Sequence, residues 1–206
     1  LEDVLHDGGQ SARETAVDAL VAERADESIP EWARGVLLQV LDAPERERRL
    51  DGARALAEMA DELPAAVRRR VVERVTTAAA TDGGTGLSAI ESCCRTLGGA
   101  ELERVASVAA AAVDQPEPPV EAVDAISALA ANDAWTASTA TVERVLELAV
   151  HGDATPVRAS AAGALEAMGS GLEGEGRERV LANVRALTFG VPAPVRRAGA
   201  SLAGRL

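Results

Sequence analysis

Lysine and tyrosine are both absent from this chain, and aromatic side chains make up only 1% of its 206 residues. All 21 basic residues are arginine, against 33 acidic ones, so the formal net charge is −12 at pH 7. Since apolar residues nevertheless reach 47%, a core must be built mostly from alanine, valine and leucine. In ordinary salt, this negative charge disfavours binding to nucleic acid or to an anionic membrane.

An acidic excess without lysine is typical of proteins from salt-loving archaea, in which surface carboxylates retain hydration water in concentrated salt. A high-GC genome also favours arginine and alanine over lysine, and this alternative stays open. We expect a haloarchaeal origin. At about 1 M salt the Debye length is about 3 Å, so net charge steers partners only weakly under those conditions.

Cysteine is scarce as well, with only Cys93 and Cys94, and neighbouring cysteines do not make a disulfide framework. The sequence shows neither a signal peptide nor an apolar run of membrane-spanning length. These absences predict a cytoplasmic chain without membrane contacts. Leu1 and Leu206 both fall inside apolar patterns, so we expect residues 1–206 to be a single domain or fragment of a longer protein.

A pair of small and larger apolar residues recurs along the chain with a period of 36 or 37 residues. The second member of each pair is Leu20, Leu56, Cys93, Leu129, Leu165 or Leu202. Small or apolar residues also stand three and four positions before each of them, with one alanine-rich example at 155–171. Positions with this spacing share one face of a helix, so the pattern predicts six helices with the same stripe.

Heavier apolar residues form a second set of helical patterns between these stripes. They span 32–41, 67–75, 102–113, 142–150 and 177–187, and the tripeptide Glu-Arg-Val recurs in four of them. Turns with aspartate and proline separate the two sets, as at Asp153 and Pro156, and proline suits the first turn of a helix. No segment alternates as a strand does. The pattern therefore predicts an all-α chain of about five helical hairpins preceded by one helix, stacked because a single hairpin cannot bury its apolar face.

The turn and the helix that follows it resemble those of HEAT-repeat proteins. The resemblance rests on Asp153, Pro156, Val157, Arg158 and the alanines and leucine up to Leu165, and it covers nearly the whole chain. It implies a right-handed alpha-alpha superhelix, with the small-residue helices on its concave side. Armadillo-type repeats are the alternative, but the short period leaves little room for their third helix.

The same resemblance implies a ladder between successive repeats, in which a turn aspartate pairs with an arginine of the second helix. Asp153 with Arg158 fits this pattern best, and Asp42 with Arg49 fits it partly. Arg196 has the arginine position but no preceding aspartate, while Gly86 and Ala122 stand where the arginine would be. We therefore expect the ladder to be interrupted in the middle repeats.

No motif predicts catalysis or a cofactor. The segment GSGLEG, Gly169–Gly174, matches a dinucleotide-binding pattern, but it follows a helix and contains Glu173, so we interpret it as a link between repeats. The segment TDGGTG at 81–86 lacks the lysine of a phosphate loop and is interpreted as a turn. His6 and His151 lie far apart, and no clustered metal ligands accompany them.

Three further features have a structural and a functional interpretation. We expect Cys93 to be buried and Cys94 to be more exposed, near Arg95. We interpret Arg68, Arg69, Arg70 and Arg74 as a solvated face paired with Glu73 and the acidic residues at 61–62, with contact to a partner as the alternative. Trp32 and Trp135 are expected to pack near the starts of first helices.

Three functions remain open from the sequence. The leading hypothesis is a non-catalytic scaffold that binds a protein partner on an extended concave surface. The first alternative is a nucleic-acid-binding helical-repeat protein, which needs a row of arginines along the second helices. The second alternative is an accessory to an enzyme resembling bilin lyases, in which Cys94 is the candidate thiol.

Overall fold

The computed structural model describes residues 46–57, 63–82, 84–172, 174–188 and 191–205, together with residues 12, 35, 37 and 38. Every regular element in these ranges is a helix, which confirms the predicted all-α class. The helices are α1 (Arg46–Ala57), α2 (Ala65–Asp82), α3 (Gly84–Cys94), α4 (Gly99–Val113), α5 (Val120–Ala130), α6 (Thr139–His151), α7 (Thr155–Met168), α8 (Gly174–Thr188) and α9 (Ala193–Arg205). A 3₁₀ turn, Gly169–Gly171, extends α7. Within the described ranges, no helix is long and apolar enough to cross a membrane.

The chain divides into two compact units, Leu1–Leu97 and Gly98–Leu206. In the first unit, α2 and α3 form a hairpin, and α1 packs against both helices. In the second unit the hairpins are α4 with α5, α6 with α7 and α8 with α9. There the first helices α4, α6 and α8 contact one another in succession, and so do the second helices α5, α7 and α9. The second unit is therefore built of two helical layers, while the single-domain organisation and the superhelix stay predictions.

The predicted stripe of the second helices forms the core. Five of its six leucine-type positions lie in described helices, and none is exposed to solvent: Leu56, Cys93, Leu129, Leu165 and Leu202 are each 0% exposed. Leu20 falls outside the described residues. The residues three positions earlier are buried as well, among them Ala53, Ile90, Ile126 and Ala162. The repeat of 36 or 37 residues in the sequence therefore corresponds to burial of the same helix positions in the structure.

The first helices bury their own valines. The valines of the four Glu-Arg-Val tripeptides, Val75, Val105, Val145 and Val180, are all completely buried. Glutamate and arginine precede each valine, on the side of the helix that turns away from the core. The tripeptide therefore combines a core position with two charged positions beside it, as expected of an amphipathic helix.

Local residue choices explain where several helices begin. Ser138 precedes α6, and its hydroxyl accepts a hydrogen bond of 3.1 Å from the Thr141 amide, which satisfies one unpaired donor of the first turn. Pro156 lies in the first turn of α7, where a missing amide proton is tolerated. Gly174 opens α8 with a φ of +52°, a conformation that residues with a Cβ rarely adopt.

Two glycines mark very close approaches between the helices of a hairpin. A Cβ built on Gly199 of α9 would lie 2.6 Å from the Leu187 carbonyl oxygen and 2.8 Å from its Cβ in α8. A Cβ built on Gly86 of α3 would overlap the backbone of Ala79 in α2. Since no side chain fits at Gly86, the arginine of the resemblance is excluded there by packing.

The turn predicted at 81–86 lies at the junction of α2 and α3 and is shorter than the whole segment. Thr81 and Asp82 end α2, and the described glycines Gly84 and Gly86 already belong to the first turn of α3. The chain reverses at this junction, since α2 and α3 form a hairpin, and Gly86 in addition allows the close contact between the two helices.

Candidate functional site

Arg144 connects two successive hairpins of the second unit. Its Nε donates to the Val113 carbonyl at 3.1 Å and its Nη2 donates to the Gln115 carbonyl at 2.7 Å, both at the C-terminal end of α4. Its Nη1 forms an ion pair of 2.8 Å with Glu147 on α6. Carbonyls in the last turn of a helix have no partner within the helix, and a cation there also complements the helix dipole. Arg144 is therefore a C-terminal cap that the next hairpin supplies.

Arg179 makes the corresponding connection one hairpin later. It pairs with Glu143 on α6 and with Glu175 on its own helix, the latter at 2.6 Å. The hydrogen bond with Glu175, followed by the charge of Glu143, raises the pKa of the Arg179 guanidinium above its ordinary value. Both connecting arginines belong to Glu-Arg-Val tripeptides. The recurrence of that tripeptide was the available sequence signal for them.

Serine and carboxylate side chains connect successive second helices. The Ser160 hydroxyl on α7 donates to the Asp124 carboxylate on α5, 36 residues earlier. The Ser201 hydroxyl on α9 donates to the Glu166 carboxylate on α7 at 2.6 Å, 35 residues earlier. These separations are close to one repeat of 36 or 37 residues. The second layer thus has polar rungs between repeats, made by different residues from those predicted.

The predicted rung of Asp153 and Arg158 is not formed. The Arg158 Nε donates to the Ala149 carbonyl at 3.3 Å, in the last turn of α6 of the same hairpin, and Asp153 makes no ion pair within the described residues. Arg196 similarly donates to the Val191 carbonyl at 3.4 Å. Both arginines thus donate to backbone carbonyls of their own hairpins. Asp42 and the side chain of Arg49 lie outside the described residues.

A groove runs along the turns of two neighbouring hairpins. This turn groove has a volume of about 610 Å³ and is lined by the turn at 116–118, by α6 from Arg144 to His151, and by the following turn and the start of α7, from Gly152 to Val157. Pro118 and Leu148 are buried at its base. Glu117, Glu147 and Asp153 are exposed along it.

The charges of the turn groove are unequal. Arg144 is the one arginine in its lining, and its guanidinium is already engaged by the two α4 carbonyls and Glu147. Glu117 and Asp153 have no cationic partner within the described residues. The groove therefore presents negative charge above an apolar base.

A second cavity lies at the opposite end of α6. This tryptophan cavity has a volume of about 500 Å³, and its walls come from the loop before α6, the end of α7 and the start of α8. Trp135, Met168 and Leu172 line it together with Asp133. Trp135 is half-buried and lies in the loop at 131–138, so the expectation that it lies near the start of α6 is met, while its side chain faces a cavity instead of only packing.

The cysteines differ from the prediction in one respect. Cys93 is buried as expected, but Cys94 is also 0% exposed. Burial raises the pKa of the Cys93 thiol to about 12, and burial followed by the charges of Cys93 and Glu91 raises the pKa of Cys94 further above its ordinary value. Both thiols are therefore protonated at neutral pH and enclosed. The prediction missed this because α3 is packed on two sides, by α1 and α2.

The arginine cluster lies on α2, where Arg69, Arg70 and Arg74 are exposed and Arg68 is half-buried. No ion pair with Glu73 on the same helix is seen among the described residues, and the pairing expected with residues 61–62 falls outside them. The cluster is a charged outer face of the first unit. Its role as a partner surface stays a prediction.

Among the described residues, no three histidine, cysteine, aspartate or glutamate side chains are placed to hold a metal ion. His151 is exposed at the end of α6, and His6 and Trp32 lie outside the described residues. Comparison of the sequence with protein-family models finds no matching family, and no curated protein matches it. The resemblance to HEAT-repeat proteins therefore stays a prediction from the sequence.

Proposed function

We propose that this chain is a non-catalytic, HEAT-like protein-binding module, and that a positively charged segment of a partner protein binds in the turn groove. The observation that carries the proposal is the pair of carboxylates, Glu117 and Asp153, in a groove whose one arginine is already engaged by two backbone carbonyls and by a different carboxylate. A lysine or arginine of a partner would supply the missing opposite charge. Pro116, which is exposed, and Val157, which is half-buried, offer apolar surface to the rest of the segment.

The contacts between hairpins support the HEAT-like part of the proposal. First helices are connected through Arg144 and Arg179, and second helices through Ser160 and Ser201. Such connections fix the position of each turn relative to the next. A groove formed by two turns is then rigid before binding, which lowers the entropic cost of association.

The test is a binding titration with two labelled peptides of equal length, one of alternating lysine and alanine and the other with glutamine in place of lysine. Fluorescence anisotropy in dilute salt should show binding of the lysine peptide only. The Glu117→Gln/Asp153→Asn variant should bind it about tenfold more weakly, because two exposed ion pairs together contribute roughly 0.4–2 kcal/mol.

The matched control removes the same number of charges elsewhere in the second unit. Glu103→Gln/Glu178→Gln neutralises two exposed carboxylates that do not line the turn groove. This variant should bind the lysine peptide as the unchanged protein does. Equal weakening by both double variants would show attraction to net charge alone and would overturn the groove as the binding site.

The two alternative functions have less support from the geometry. Nucleic-acid binding needs aligned arginines on the second helices, but Arg158 and Arg196 are engaged by carbonyls of their own hairpins. A role resembling that of a bilin lyase needs an accessible thiol, but Cys94 is buried. Labelled duplex DNA and RNA belong in the same titration, and tighter binding of either than of the lysine peptide would contradict the proposal.

A further inference from the structure

Among the described residues of its lining, the tryptophan cavity combines an aromatic wall with one negatively charged side chain. Trp135, Met168 and Leu172 supply large apolar side chains, and Asp133 supplies a carboxylate. Among its described lining residues, none is lysine, arginine or histidine. Asp133 is exposed and forms no ion pair within the described residues, so none of those residues neutralises its charge. The electrostatics of the cavity therefore favour a cation.

The loop that carries Trp135 is held by its own hydrogen bonds. Asn132 is only 7% exposed, and its Oδ1 accepts a hydrogen bond of 2.9 Å from the Ala134 amide. The Trp135 amide donates to the Asn132 carbonyl at 3.0 Å. These bonds engage the backbone around Trp135 and leave its ring half-buried at the cavity. The wall is thus formed before any ligand enters.

We infer that this cavity binds an alkylammonium group, held between the Trp135 ring and the Asp133 carboxylate. An aromatic face attracts a cation through its quadrupole, and tryptophan does so most strongly. A volume of about 500 Å³ lies within the usual range for small-ligand sites. Methyl groups on the cation would contact Met168 and Leu172, which a bare metal ion cannot do. This site is independent of the turn groove, because the two linings share no residue.

The experiment uses choline as the cation and 3,3-dimethylbutan-1-ol as its neutral isostere. Trp32→Phe leaves Trp135 as the sole tryptophan, so its emission reports on the cavity. In dilute salt, choline should change this emission saturably, and the neutral isostere should bind at least about tenfold more weakly. Equal binding of the two compounds would overturn the inference, as would the absence of any saturable change with choline.

Two substitutions separate the contributions of ring and charge, with binding measured by calorimetry. Asp133→Asn should weaken choline binding about tenfold, while Asp114→Asn, an exposed carboxylate outside the cavity, should leave it unchanged. Trp135→Leu should weaken it about twofold to thirtyfold, in line with the range of cation–π energies, and Trp135→Phe should weaken it less. Circular dichroism verifies that each variant is folded. Unchanged affinity in both Asp133→Asn and Trp135→Leu would place choline elsewhere.

The same chemistry occurs in free quaternary ammonium compounds and in trimethylated lysine side chains. Blocked Nα-acetyl-trimethyllysine methylamide, titrated in parallel, distinguishes these sources. Tighter binding of the lysine derivative than of choline assigns the cavity to a modified protein segment. Tighter binding of choline assigns it to a free metabolite of this class, and weak binding of both relative to the neutral isostere removes the site.

Discussion

At the scale of single residues, two glycines of the second layer occupy opposite environments. Gly199 lies against α8, where an added Cβ would meet Leu187 at 2.6 Å. Gly163, in the middle of α7, has no atom within 4 Å of such a Cβ. Composition alone does not distinguish them, since both stand in alanine-rich helices.

Gly199→Ala should therefore destabilise the protein by about 1–3 kcal/mol, because the new methyl group forces α8 and α9 apart. Gly163→Ala should stabilise it by about 0.5–1 kcal/mol, because alanine loses less backbone freedom in a helix than glycine does. Urea unfolding followed by circular dichroism measures both free energies. The same sign of change in both variants would contradict the close packing at Gly199.

At the scale of helices, Arg144 and Arg104 form a natural comparison. Each is the arginine of a Glu-Arg-Val tripeptide, in α6 and α4 respectively. Arg144 is 20% exposed and donates a hydrogen bond to the last residue of α4, in the preceding hairpin. Arg104 is exposed and makes no side-chain hydrogen bond within the described residues. Identical tripeptides thus have different roles.

Arg144→Lys keeps the charge but loses the planar fork that contacts Val113, Gln115 and Glu147 together. The free energy of unfolding should fall by about 1–2 kcal/mol, as for the loss of hydrogen bonds from a charged donor. Arg104→Lys is the control and should change it by less than about 0.5 kcal/mol. Equal effects of the two variants in urea unfolding would show that Arg144 does not connect the hairpins.

At the scale of the whole molecule, the absence of lysine and tyrosine leaves few groups whose titration can change the stability at alkaline pH. Arginine titrates only above about pH 12, so among the side chains Cys93 and Cys94 alone titrate between about pH 8 and 12. Burial raises the pKa of Cys93 from 9.0 to about 12, and Cys94 is raised as well. The folded state therefore keeps protons that the unfolded state loses.

Because the pKa is higher in the folded state, the stabilisation from the protonated thiols is complete below pH 9, the pKa in the unfolded state. It declines as the pH rises from there towards about 12. The free energy of unfolding, measured in urea at a series of pH values, should show this decline. The Cys93→Ala/Cys94→Ala variant loses packing and is less stable at pH 7, but its free energy should stay nearly level with pH. A parallel decline in that variant would assign the effect to other groups.

The sequence by itself determined the helical class and the positions that face the core, because a 3.6-residue periodicity and a 36- or 37-residue repeat are properties of the chain read locally. Leu129 and Leu165 are buried where that period places them. Only the tertiary structure decided which polar side chains meet. Arg144, Ser160 and Arg158 select partners 31, 36 and 9 residues away, respectively.

The burial of Cys94, the exclusion of a side chain at Gly86 and the cavity beside Trp135 were also decided by tertiary packing. Each depends on how closely a neighbouring helix or loop approaches, and differences of about an ångström separate contact from open space. Periodicity states which face of a helix turns inward, but not that distance. For the polar side chains such as Arg144, the physical reason is that a long side chain can adopt many rotamers, and only its contacts with the surrounding helices select one of them.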